Sequence, residues 1–139
     1  MPTLQPRGIR NHNPGNLERV RGVTWRGQAP RQTDSRFVVF TSPRWGLRAM
    51  ARVLTTYYER RNLRTVRAII SRWAPPSENR THAYILAVAS RLGVGVDQPI
   101  TRDEGTWVLL CAAITRHENG TDPYHADVYR EAIRLAWGG

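Results

Sequence analysis

The residues best placed to do chemistry lie in a short polar segment after the most apolar stretch of the chain. The segment runs Arg116-His117-Glu118-Asn119-Gly120-Thr121-Asp122-Pro123-Tyr124. Glu118 is expected on the last turn of a helix, because Gly120 is typical of the residue that ends one. The partial negative charge of a helix C-terminus disfavours a second negative charge there. A carboxylic acid that keeps its proton can protonate a leaving oxygen, although the pattern equally fits a surface acid at a frayed helix end.

Other chemistries have weaker support from residue spacing. His117 and His125 lie on either side of an expected helix break, whereas a helical metal site needs closer, regular ligands. Cys111 is the single cysteine and sits in an apolar run, which favours a small buried hydrophobe over a nucleophile. The glycines between residues 8 and 27 are not followed by the Lys-Ser/Thr of a phosphate loop. We therefore expect no metal and no cofactor.

The composition indicates one folded and strongly basic domain. The chain has 139 residues, 40% of them apolar, with five Trp and five Tyr, enough for one domain with a real core. Its 21 Lys+Arg, all arginine, outweigh 11 Asp+Glu and give a net charge of +10. Such a charge favours polyanions, either nucleic acid or an anionic bacterial envelope, and it also fits a solvated surface. The arginines are spread along the chain without a recognition-helix cluster, so we expect no specific nucleic-acid partner.

The elements that must position Glu118 are mostly helical. Residues 1–8 are expected to be flexible, and Asn13-Pro14-Gly15-Asn16 is typical of a turn. The run Phe37-Val38-Val39-Phe40 predicts a strand paired near residues 22–27, in a small β-hairpin. Apolar spacing and end signals predict helices starting at Ser42-Pro43, over about 63–73, over about 81–93, from a Thr101/Glu104 capping box to Glu118, and over about 127–137. The fold class is mainly α, in an α+β domain spanning residues 1–139.

Two motifs resemble those of a known group of enzymes. The segment Glu118-Asn119-Gly120-Thr121-Asp122-Pro123 is similar to the Glu-Ser-Gly-x-Asn-Pro signature of lytic transglycosylases and glucosaminidases, with Asn119 in place of the usual serine. Gly15-Asn16-Leu17, Trp25-Arg26-Gly27 and the block from Arg36 to Ser42 resemble the Asn-Leu-Phe-Gly…Trp-x-Gly…Phe-x-x-Tyr-x-Ser pattern of peptidoglycan glucosaminidases. In those enzymes this block follows the glutamate, whereas here it precedes Glu118, so the resemblance implies a circular permutation. The order from Gly8 through Trp73-Ala74-Pro75 to Gly120 is also similar to small phage virion structural or lysis proteins.

The resemblance implies a lysozyme-like domain and assigns roles to several residues. Glu118 would be the general acid, and Tyr84 would orient that glutamate or the substrate, unless Tyr84 is simply a core residue of its helix. Asn13 and Asn16 could hydrogen-bond a glycan or only satisfy turn backbone. Trp25 could stack on a sugar or hold the hairpin against the helices. Tyr124 is a further candidate for substrate binding.

The second catalytic group is the least determined. An inverting hydrolase needs a carboxylate that activates water from the opposite face of the sugar. Asp34, on the predicted hairpin loop, is the first candidate for this carboxylate, and Glu78 is the second. Glu78 is also a candidate for substrate binding. Both also fit solvated loop acids. Without either, Glu118 would act as acid and then base, with the N-acetyl group of the substrate stabilising the cation, as in lytic transglycosylases.

These observations predict a bacteriolytic phage protein that cleaves the β-1,4 bond of peptidoglycan. It would be an endolysin or a virion-associated muramidase or transglycosylase, and its partner would be the glycan strand within an anionic envelope. The alternative is a non-catalytic virion structural protein with a lysozyme-like fold. The chain lacks a recognisable signal peptide or membrane-spanning run, so we expect synthesis in the host cytoplasm and action in the periplasm or cell wall, or from the virion. We expect a monomer, although no sequence feature decides the oligomeric state.

Overall fold

The fold is mainly α, which confirms the predicted class. The computed structural model describes residues 5–74 and 79–138. Its helices are α1 (Arg7–Arg10), α2 (Pro43–Arg60), α3 (Val66–Trp73), α4 (Asn79–Leu92), α5 (Glu104–Asn119) and α6 (Ala126–Gly138). Within the described ranges, no helix is long and apolar enough to cross a membrane.

Local signals explain where the helices begin and end. Pro43 occupies the first turn of α2 after Ser42, as expected. Helix α3 starts later than predicted because the Thr65 hydroxyl accepts a hydrogen bond from the Ala68 amide. At α5 the capping residue is Asp103 rather than Thr101, since its carboxylate accepts from the amide of Thr106 at 2.7 Å. Helix α5 ends at Gly120 in the left-handed conformation (φ 74°), which glycine adopts without steric cost.

Helix α5 is the centre of the main core, as its apolar sequence predicts. Trp107, Leu110 and Ile114 are fully buried, and α4 and α6 pack against this helix while α2 packs mainly on α6. Burying side chains of this size stabilises the fold by about 1.5–3 kcal/mol each. The terminal turn of α5, which carries Glu118, is therefore continuous with a helix buried in the main core.

The segment between α1 and α2 does not form the predicted β-hairpin. In the described residues it contains two isolated antiparallel bridges, Glu18 with Phe37 and Gln28 with Phe40. The backbone of residues 37–40 is extended, but its polar groups pair with several different partners. The Val38 amide donates to Leu17, the Val39 amide donates to the side chain of Gln32, and the Phe40 amide donates to Asn11. A continuous ladder cannot form because side chains and separate loops take the place of one partner strand.

This segment is nevertheless ordered by a small core of its own. Val38, Phe40 and Ala49 are buried there, with Leu17, Trp25 and Trp45 packed around them. Residues 1–4 lie outside the described residues. Arg7 and Gly8, in the stretch expected to be flexible, belong to α1, and Gly8 is buried. The loop that follows α1 is thereby held against the end of α5.

Candidate active site

Glu118 is held by two side chains from distant parts of the sequence. The Tyr84 hydroxyl, on α4, donates to Oε2 of Glu118 at 2.9 Å. The Asn16 side-chain amide, in the loop after α1, donates to Oε1 at 3.1 Å. Glu118 itself is half-buried on the last turn of α5. A surface acid at a frayed helix end would not hold two such partners, so the carboxylate has one preferred orientation.

The loop that carries Asn16 is locked to the end of α5 by a close approach. Asn119 donates from Nδ2 to the carbonyl oxygens of Pro14 (2.8 Å) and Thr115 (2.9 Å). A Cβ at Gly8 would lie 2.5 Å from Oδ1 of Asn119 and 2.9 Å from Oδ1 of Asn16, so a glycine is required there. Asn16 has a positive φ of 51°, which asparagine tolerates better than most residues. The loop, α1 and α5 therefore form one unit around the carboxylate.

Tyr84 is buried, and contacts fix both its ring and its hydroxyl. Its ring stacks on His117 with centroids 3.8 Å apart, and 5% of the residue is exposed. Burial raises the pKa of Tyr84 well above its usual range, the Glu118 carboxylate raises it further, and a hydrogen bond from Trp73 opposes the change. The indole N–H of Trp73 can only donate, so the phenol proton is directed to Glu118. Partial burial also lowers the pKa of His117, against the pull of Glu118.

Glu118 opens onto a cleft of about 470 Å³ between the N-terminal segment and the helices. The described residues that line it include two carboxylates, Glu118 and Glu18, and two arginines, Arg36 and Arg72. The remaining lining is largely apolar and includes the aromatic rings of Phe37, Tyr57 and Trp73, with Gly15, Asn16, Leu17 and Ala74. Aromatic and apolar walls with a few polar groups are usual for a small-molecule site, and the volume suits one or two sugar rings.

Six charged or aromatic lining residues were not among the site residues predicted from the sequence: Glu18, Arg36, Phe37, Tyr57, Arg72 and Trp73. Glu18 directly follows the Gly15-Asn16-Leu17 motif, which was a usable signal. It forms an ion pair with Arg36, in which Nε of Arg36 lies 2.6 Å from Oε1. Arg72 and Trp73 are the last two residues of α3 and line the cleft. They were not predicted as site residues because their helical spacing is that of an ordinary surface residue and an ordinary core residue.

Asp34, the first candidate for a second carboxylate, is not placed for that role. It does not line the cleft, and its side chain is 7% exposed. Arg7 binds both its oxygens at 2.7 Å, and Asn11 and the amides of Arg36 and Phe37 donate to it as well. The Arg7 guanidinium and these donors hold the pKa of Asp34 far below its usual range. Asp34 does not fit the role of catalytic base because both of its oxygens are hydrogen-bonded to residues that hold α1 against the loop around Asp34.

The other predicted binding residues divide between structural and cleft positions. Asn13 is fully buried and binds only backbone, donating to Leu17 and Val38 and accepting from the Leu17 amide, so it is not a glycan ligand. Tyr124 does not line the cleft either. Burial raises the pKa of Tyr124 to about 12, and its buried hydroxyl has no hydrogen-bond partner in the described structure. Glu78 lies outside the described residues.

Trp25 packs in the protein interior and also reaches a surface depression. Its ring packs against the small core of the N-terminal segment and also lines a second depression next to the cleft. Cys111 is buried, and burial raises the pKa of its thiol, which fits the hydrophobic role expected for it. Among the residues described, no group of three His, Cys, Asp or Glu side chains clusters as metal ligands would.

Comparison with known proteins places the chain in a bacteriophage family. No protein-family model matches it. It is 36% identical over 134 residues to "Protein P5" of Pseudoalteromonas phage PM2, an alignment that covers 95% of this chain and 81% of that protein. Identity of this extent over nearly the whole chain indicates a shared fold. The chain belongs to the same family as this phage protein.

Proposed function

We propose that this member of the phage family is a peptidoglycan-cleaving glycosidase with Glu118 as its general acid. The enzyme would cut the β-1,4 bond of the glycan strand after synthesis in the host cytoplasm, acting in the periplasm or cell wall during lysis, or from the virion. The observation that carries the proposal is the carboxyl of Glu118, held between Tyr84 and Asn16 on the wall of a sugar-sized cleft. Fixing a catalytic acid in one geometry is a large part of what an active site contributes.

The two donors suit the proposed sequence of steps. In the first step Glu118 gives its proton to the glycosidic oxygen as the bond to the anomeric carbon breaks, and Glu118 becomes a carboxylate. Tyr84 and Asn16 then stabilise the new negative charge, because hydrogen bonds to an ionised group are stronger than those to a neutral one. In the second step the carboxylate removes a proton from the attacking hydroxyl, which restores the acid.

Among the described residues, the positions of two other carboxylates, Asp34 and Glu18, favour the single-acid route over inverting hydrolysis. Asp34 is bound by Arg7 outside the cleft. Glu18 lines the cleft but is paired with Arg36, so activation of water by Glu18 would first require breaking that pair. In the single-acid route the N-acetyl oxygen of the substrate stabilises the positive charge that forms at the anomeric carbon. The C6 hydroxyl of the same sugar then attacks that carbon. The product of that attack is a 1,6-anhydro sugar, and Glu118 takes the proton.

The alternative is a non-catalytic virion structural protein with a lysozyme-like fold. The pairing of Glu18 with Arg36 is consistent with this alternative, since a binding protein needs no base in its cleft. Under this alternative the cleft would hold a glycan without cleaving it.

A zymogram containing peptidoglycan separates the two proposals. The wild type is expected to clear the gel, and Glu118→Gln, which keeps the size of the side chain and one of its two acceptor oxygens, is expected to lose at least a hundredfold in activity. Glu131→Gln is the matched control, because Glu131 is exposed on α6 and pairs with Arg44. Clearing by Glu118→Gln equal to that of Glu131→Gln would remove the role proposed for Glu118.

A further inference from the structure

The Glu118 cleft continues into a second depression with a different charge. This depression has a volume of about 300 Å³, and Tyr57 and Arg72 line both it and the cleft. Beyond that shared boundary it is lined by Trp25, Arg52 and Arg61, with Val53 and Thr56. We call this depression the arginine groove. A polymer that lies in the cleft would reach the arginine groove without leaving the surface.

The arginine groove carries positive charge that the described protein does not neutralise. Three arginines line it, and among the described residues no carboxylate does. In the described ranges Arg61 and Arg72 form no ion pair, whereas Arg36 in the cleft is paired with Glu18. Arg52 donates to the carbonyl oxygen of Ala136 at 3.2 Å, which fixes its position but leaves its charge in place. Guanidinium groups bind carboxylates through paired hydrogen bonds, so this charge suits an acidic ligand.

The aromatic residues of the arginine groove give it an apolar wall. Trp25 is half-buried because its ring also packs on the small core, so its exposed surface is held in place. The guanidinium of Arg72 lies 5.7 Å from the centre of the Tyr57 ring. Burial raises the pKa of Tyr57 while Arg72 and Arg61 lower it, which indicates that both positive charges act at this point of the groove.

We propose that the arginine groove binds the carboxylate-bearing stem of the glycan strand, through Arg61 and Arg72, and thereby selects an acidic glycan over a neutral one. This inference rests on the proposed function, since it concerns the substrate of the same cleft. The lactyl-peptide branch of peptidoglycan leaves the sugar backbone beside the cleaved bond and ends in free carboxylates. A neutral chitin-type chain has the same backbone without that branch and would gain nothing from the arginines.

Binding to catalytically impaired Glu118→Gln tests the inference without requiring cleavage. Calorimetric titration would compare soluble disaccharide-peptide strands, the same strands with their peptide carboxyls amidated, chitotetraose and a duplex DNA oligonucleotide. The acidic strands are expected to bind about tenfold more tightly than the amidated strands, by 1.4 kcal/mol, and the difference should shrink as salt is added. This comparison uses one protein with an unchanged arginine groove and varies only the ligand.

The variants assign that difference to the two arginines. Arg61→Gln, at an arginine that lines the arginine groove but not the cleft, should bind the acidic strands more weakly and chitotetraose unchanged. Adding Arg72→Gln should bring the loss for the acidic strands to about tenfold. Arg67→Gln is the control, because Arg67 lies on the same helix as Arg72 but pairs with Asp97 outside the groove. Equal affinity for acidic and amidated strands, an equal loss in Arg67→Gln, or tighter binding of DNA than of the acidic strands would each overturn the inference. If the proposed function alone fails, the wild type releases no fragments from peptidoglycan while the preference for acidic strands persists.

Discussion

Replacing Tyr84 by phenylalanine tests whether the geometry around Glu118 serves catalysis. The substitution removes only the hydroxyl, which donates to Oε2 of Glu118 at 2.9 Å, and leaves the ring stacked on His117. A hydrogen bond to a charged group contributes about 1.5–3 kcal/mol. If that contribution is made to the transition state, kcat falls by about 10- to 150-fold, since 1.36 kcal/mol corresponds to a factor of ten.

The loss of activity in Tyr84→Phe should appear in kcat rather than in KM. The hydroxyl is buried against Glu118 and does not line the cleft, so substrate binding should be nearly unaffected and KM should stay within about twofold. The assay is the initial rate of fragment release from purified peptidoglycan at several substrate concentrations. Thermal unfolding of each variant, followed by circular dichroism, separates loss of activity from loss of fold.

Tyr129→Phe is the matched control for this prediction. Tyr129 is also buried and its hydroxyl also donates to a carboxylate, Asp122, at 2.7 Å, but it does not line the cleft. Both variants should lose stability to a similar extent, whereas Tyr84→Phe alone should lose kcat. Wild-type kcat in Tyr84→Phe, or an equal loss of kcat in Tyr129→Phe, would refute the reasoning.

Three further predictions concern the structure around the site. Asp34→Asn should lower the free energy of unfolding at neutral pH by about 2 kcal/mol, a value kept small because the partner Arg7 is partly exposed to solvent. Since folding lowers the pKa of Asp34, the wild type should lose this stability as pH falls below about 4. Urea titrations in which both proteins lose the same stability in acid would contradict the prediction. Gly8→Ala should reduce activity at least tenfold while the helical circular dichroism remains, because its Cβ would displace Asn16 and Asn119; an unchanged rate would mean that the loop adjusts freely. Glu18→Gln should keep the fragment-release rate within about threefold of wild type, since the single-acid route does not use it, and a loss above a hundredfold would instead make Glu18 the base.

The helices could be predicted from the sequence because their signals are local. Apolar residues recur with the helical period in α2, α3, α4 and α6, and Pro43 and Gly120 mark two of the ends. Helix α1 escaped prediction because its single turn, Arg7–Arg10, is too short to show a period. Its helical turn is stabilised by tertiary contacts such as that between Arg7 and Asp34.

The hairpin prediction failed because β-branched residues indicate an extended backbone but not its partners. The side chains of Asn13 and Gln32 take hydrogen bonds that a second strand would have supplied, and nothing in a local pattern distinguishes such an asparagine from a turn residue. In the site, too, local features could be predicted and long-range pairings could not. Glu118 was recognisable from its place at a helix end, whereas the partner of Asp34 is an arginine 27 residues away. Pairings of that range depend on how the chain folds back on itself.

Under the proposed function, Glu118 cleaves the glycan strand without a second carboxylate, acting as acid and then as base. The most direct measurement is mass spectrometry of the soluble fragments that wild type, Glu118→Gln and Glu131→Gln release from purified peptidoglycan. We expect 1,6-anhydro ends from the wild type and Glu131→Gln, and no fragments from Glu118→Gln. Reducing ends would contradict the single-acid route, and fragment release by Glu118→Gln at the wild-type rate would contradict the claim as a whole.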